Sequence, residues 1–148
     1  IAVSKEHLTK EGIKEYSILY IILNHPQIIS PRIEILDGIE FSTQKLNELK
    51  TEALNLISSN KFEKENVEHL NKKYLSLIND INQNSFIKNI FIKKDENQQV
   101  ELLNEILKEL NDIKFSKKIE ELERKVIKEF DEKTYSDLIE LKSQINKE

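Results

Sequence analysis

The chain has 148 residues, of which 34% are charged and 38% hydrophobic, with a formal net charge of -4 and 0 Cys. The missing cysteines exclude disulfides, thiolate nucleophiles and cysteine metal sites. The negative net charge argues against general nucleic-acid binding, which draws its affinity from counterions released by a positive surface.

With only 2 Gly and 2 Pro, the composition favours long helices and few turns. The absence of cysteine fits a reducing cytosol. No signal peptide is evident, and the strictly apolar run Ile18–Leu23 is too short to span a membrane. Cytoplasmic localisation is the expectation. The chain contains 0 Met and begins at Ile1, so it is expected to be a piece of a longer protein. Arginine occurs only at Arg32 and Arg124 amid abundant Lys, Ile and Asn, a bias that points to an AT-rich genome.

The first element is Glu15–Ile29, EYSILYIILNHPQII. Its apolar run is too broad for one exposed helix face, which predicts a buried core helix. Pro26 has no amide hydrogen and disfavours helical geometry at His25, so the helix should end near Asn24. Ser30-Pro31 reads as an N-cap with proline in the first turn, opening a helix to about Leu36 that Gly38 stops. Ser42 is expected to cap the next helix, whose apolar positions Leu46, Leu49, Ala53, Leu54, Leu56 and Ile57 fade at Ser58-Ser59-Asn60. A further helix is predicted from about Glu63 to Ile81, with Val67, Leu70, Tyr74, Leu77, Ile78 and Ile81 on one face. Phe86–Ile92 (FIKNIFI) alternates like a strand, but no second strand exists to pair with it, and it is assigned as a short helix.

The last fifty residues carry an apolar stripe that changes face. Val100, Leu103, Leu107 and Leu110 follow three-four spacing, but its continuation falls on Lys114, Lys117 and Glu121. Apolar residues resume instead at Phe115, Ile119, Leu122, Val126 and Phe130, one position out of register. One long helix with two buried faces serves two packing partners. Asp131 can cap a final helix with Tyr135, Leu138, Leu141 and Ile145 on one side. The predicted architecture is therefore all-α: a helical bundle over residues 1–115, then a C-terminal helical hairpin over 116–148. A two-helix hairpin buries little apolar surface for the chain it orders, so it is expected to be stable only when docked.

The chain resembles the C-terminal helicase-interaction domain of bacterial DNA primase (DnaG type). The resemblance rests on three stretches: Glu15–Ile29 with its Asn-His-Pro turn, Ile35–Phe41 (ILDGIEF) with the helix from Ser42, and Phe130–Lys142 (FDEKTYSDLIELK). It covers most of the chain in order and spacing, through apolar motifs rather than catalytic ones. Residues 60–97 match in helix content alone. The resemblance implies a hairpin that docks on the N-terminal collar of the hexameric replicative helicase (DnaB type), bringing the primase to unwound DNA at the replication fork. It places the nucleotidyltransferase centre, with its zinc and magnesium, in upstream domains, so this chain is expected to be non-catalytic and cofactor-free.

No catalytic constellation emerges from the residues themselves. His7, His25 and His69 lie on different elements, and the pair Glu65/His69 lacks the further Glu-x-x-His motifs of a di-iron bundle. Gly12 and Gly38, the only glycines, build no phosphate loop. The run Glu120–Lys125 mixes both charge signs at helical spacing, as on a solvated face, and the alternative is that the same face meets a complementary patch on the helicase. The partner-binding candidates are Tyr135, Leu138, Ile139, Leu141, Lys142 and Ile145. Tyr is a frequent interface anchor, and Ile139 lies off the main stripe. The competing readings are the N-terminal helical domain of the helicase itself and an unrelated helical scaffold. The first would need a proline-rich linker that is absent. A dimeric coiled coil would need unbroken heptads over Val100–Ile145.

Overall fold

The computed structural model describes residues 8–128 and 132–146, and every regular element among them is helical. The chain divides into two compact units, Ile1–Ile106 and Leu107–Glu148. In chain order the helices are α1 (Lys10–Asn24), α2 (Pro26–Ile29), α3 (Ile33–Asp37), α4 (Gln44–Ser58), α5 (Lys64–Lys73), α6 (Leu75–Gln83), α7 (Ser85–Phe91), α8 (Glu96–Lys128) and α9 (Glu132–Asn146).

The first unit is built around α1. Thr9 caps it, its Oγ1 accepting the Gly12 N–H at 2.9 Å. Ile18, Leu19, Ile21 and Ile22 are completely buried, and only a helix enclosed on most sides can bury adjacent positions this way. Its neighbours are α2, α4, α6 and α7. The helix ends at Asn24, as the proline requires, with the His25 N–H donating back to Ile21 O at 2.7 Å. FIKNIFI forms α7, capped by Asn84, whose Oδ1 accepts the Ile87 N–H at 3.1 Å. Phe91 from this helix stacks on Tyr20 of α1 at 5.3 Å.

Three local expectations are corrected. Ser30 does not cap a helix with its side chain. The chain stays helical through Pro26–Ile29 and a 3-10 turn at Ser30–Arg32, so proline enters without a break. Ser42 does not cap α4 either. Thr43 does, its Oγ1 accepting the Leu46 N–H at 3.2 Å, because Ser42 is held by the buried Glu15 of α1. The single helix expected over 63–81 is broken at Tyr74 (φ -119°, ψ 36°), where the ring is buried and the hydroxyl donates to Glu52 of α4. Gly38 does terminate α3, but with ordinary right-handed geometry (φ -74°).

Polar ties pin the segment between α3 and α4. The ammonium of buried Lys50 donates to Leu36 O at 2.9 Å and to Ile39 O, and lies 4.9 Å from the Phe41 ring centre. Asn47 accepts the Phe41 N–H at 2.8 Å and donates to its carbonyl at 3.0 Å. The far end of α4 closes on Asn60 in the left-handed region (φ 57°). There the Lys61 N–H reaches Leu56 O at 2.8 Å and the Asn60 N–H reaches Ile57 O at 3.1 Å, a Schellman pattern.

The long α8 carries both of the predicted stripes. Leu103, Leu107 and Leu110 are buried, and Ile106 joins them. Beyond the slip, Ile119, Leu122 and Val126 are half-buried and Phe115 is exposed. The second stripe is therefore only partly covered, as a thin two-helix unit dictates. Phe130 and the proposed cap Asp131 fall outside the described residues.

Candidate partner-binding surface

The second unit brings the end of α8 against α9. Glu132 in the first turn of α9 complements the positive end of the helix dipole. Lys142 Nζ sits 3.0 Å from Glu123 of α8, which fixes the alignment of the two helices. Both side chains are about half exposed, so solvent screening leaves the pair worth about 1 kcal/mol at most. This bridge is a register mark more than a source of stability.

Burial along α9 is uneven. Leu138 is buried at 6% exposure, which places it in the core rather than on the surface. Leu141 is half-buried. Tyr135, Ile139 and Ile145 are exposed at 46%, 51% and 36%. Tyr135, Ile139 and Lys142 follow four-three spacing and so share one side of the helix. Two large apolar or aromatic side chains thus keep about half of their surface exposed on one stripe, beside a lysine whose charge already has a partner. The structure separates the six sequence candidates into one core residue, one half-buried residue and four accessible ones.

Periodicity singled out the charged run that holds Arg124 and Lys125 but not Ile127, which is 85% exposed. The signal is present in retrospect, since Ile127 lies one position past Val126 and so about 100° off the buried stripe.

The first unit holds a separate polar cleft of about 630 Å³ along α4, lined among others by Glu40, Glu48, Glu52, Lys73 and Tyr74. Glu52 accepts from Lys73 at 2.8 Å and from the Tyr74 hydroxyl. Burial pushes the Glu52 carboxyl upward, but these two hydrogen bonds and the Lys73 charge outweigh it and hold the group below its ordinary value. Burial, the bond to Glu52 and the charges of Glu52 and Glu48 hold the Tyr74 phenol well above its ordinary value. The arrangement ties α4 to the α5–α6 junction. Among the described residues, no group of three or more His, Asp or Glu side chains is placed to hold a metal ion. None of the described helices is long and apolar enough to cross a membrane.

Comparison with known protein families, curated proteins and solved structures finds no match for this chain.

Proposed function

We propose that this chain is a protein-docking domain and that its terminal hairpin binds the N-terminal collar of a hexameric replicative DNA helicase, as the C-terminal domain of a bacterial DNA primase does. The observation that carries this reading is the exposure of Tyr135 and Ile139 on a helix with a single buried side chain, Leu138, among its described residues. A helix so poorly covered gains its stability from a partner, and large apolar side chains on one accessible stripe are the usual anchors of such a contact. The all-α fold and the long helix leading into a final helix accord with the family's architecture. The sequence stretches quoted above supply the choice of partner. On this reading the domain is non-catalytic, works in the bacterial cytoplasm at the replisome, and depends on upstream domains for zinc, magnesium and primer synthesis.

Size-exclusion chromatography of the 148-residue chain mixed with the hexameric helicase of the same organism tests the proposal. Co-elution is expected at concentrations of about 10–50 μM, a range that a standard-size interface exceeds readily. Separate elution at those concentrations would sink it.

A further inference from the structure

We infer that the outward face of α8 between Glu121 and Lys128 is a second docking surface, and that it receives an acidic amphipathic helix of a partner protein. Ile127 is the most exposed large hydrophobic residue described, at 85%. Among the described residues, Arg124 and Lys128 flank it, and with Glu121 and Lys125 they border a concavity of about 580 Å³. Glu121, Arg124, Lys125 and Lys128 stand at i, i+3, i+4 and i+7, a single stripe of the helix. That stripe lies roughly 150° around α8 from Ile119, Leu122 and Val126. The three cations therefore point away from the side that carries the unit's own apolar residues. Among the described residues, none of the three makes an ion pair.

Charge complementarity selects the occupant. The face spans about 10 Å of helix rise, the length of two turns. A partner helix with glutamates one turn apart can set carboxylates against Arg124 and Lys128 while a leucine or phenylalanine beside them covers Ile127. Nucleic acid fits less well. Three cations interrupted by Glu121 make a weak phosphate track, and among the described residues no aromatic ring borders the face for base stacking. A lone isoleucine also inserts too little apolar surface to hold a membrane. The residues differ from Tyr135 and Ile139, so this surface stands whether or not the helicase is the partner of α9.

A fluorescein-labelled acidic amphipathic peptide of about five helical turns, with leucines on one face, provides the probe, read by anisotropy against the full chain. Saturable binding is expected, weakening about tenfold or more between low and moderate salt. Arg124→Glu combined with Lys128→Glu should weaken it at least about tenfold, and Ile127→Ser by about fivefold. These positions are exposed, and circular dichroism verifies that the variants keep the helical fold. Unchanged binding in the charge-reversed variant overturns the proposal. So does equal binding of a peptide with its leucines replaced by serine, because the contact is then bulk electrostatics. Tighter binding of single-stranded DNA or anionic vesicles than of the peptide assigns the face to those ligands and likewise overturns it. The assay contains no helicase, so its failure leaves the α9 reading untouched.

Discussion

The carboxylate of Glu15 accepts two hydrogen bonds from Ser42, one from its backbone N–H and one from its hydroxyl, each at 2.6 Å. The two residues are 27 positions apart, and Glu15 is completely buried in the middle of α1. A buried charge is tolerable only when hydrogen bonds replace its hydration. This one clamps the segment that leads into α4 onto the central helix.

Glu15→Leu removes the acceptor and leaves the Ser42 N–H without its partner, so it should destabilise the chain by about 2–3 kcal/mol. Ser42→Ala keeps the backbone bond and should cost about 1 kcal/mol. Urea denaturation midpoints of the two variants measure the difference. Equal losses would mean that the backbone bond contributes nothing.

The Glu52–Tyr74 pair predicts a stability window bounded on both sides. The Glu52 carboxyl lies below its ordinary value of 4.5 in the folded chain, so the stability it contributes is present above that pH and lost as pH falls through the folded value. The Tyr74 phenol lies above its ordinary value of 10.0, so the unfolded chain releases this proton first and stability falls as pH rises beyond 10. Near-ultraviolet absorbance should show delayed ionisation in alkali from Tyr74 and, through its own burial, from Tyr16. Tyr74→Phe should reduce that delayed phase, leaving the part due to Tyr16.

His25 adds a milder acid dependence. Burial lowers its folded pKa below the ordinary 6.5, which means the unfolded chain binds a proton that the folded chain resists. Stability due to this residue is complete above about pH 7 and declines as pH drops through 6.5 toward the folded value. His25→Asn should flatten the decline between neutral pH and pH 5 in thermal melts.

Lys93 follows α7 with φ at 63°, a left-handed conformation that costs a side-chain-bearing residue about 1 kcal/mol. Lys93→Gly should raise stability by about that amount in denaturant titration. Asn60→Gly should gain less, because asparagine tolerates this region better than lysine.

The parts of the fold that local chemistry dictates were legible in the sequence. Pro26 stops α1 by lacking an amide hydrogen, and the stripe through Leu103, Leu107 and Leu110 follows from helical spacing. Two of the three misassigned details hinge on partners distant in the chain. Ser42 looks like a cap until Glu15 claims its hydroxyl, and the helix around Tyr74 looks continuous until Glu52 draws that hydroxyl away. The hairpin shows the same division. Its existence follows from the slipped register, but spacing cannot decide that Leu138 is covered while Tyr135 and Ile139 are not. Ile127 escaped notice because an apolar residue off the stripe is visible only when one asks which residues the stripe omits.

On the proposed function, the stripe containing Tyr135 and Ile139 contacts the helicase collar. The direct measurement is calorimetric titration of the helicase with the wild-type chain and with Ile139→Asp, the fold of the variant confirmed by its unchanged circular dichroism and melting temperature. Placing a charge in the middle of an apolar contact should weaken binding by at least about tenfold. Wild-type affinity in Ile139→Asp would contradict the claim.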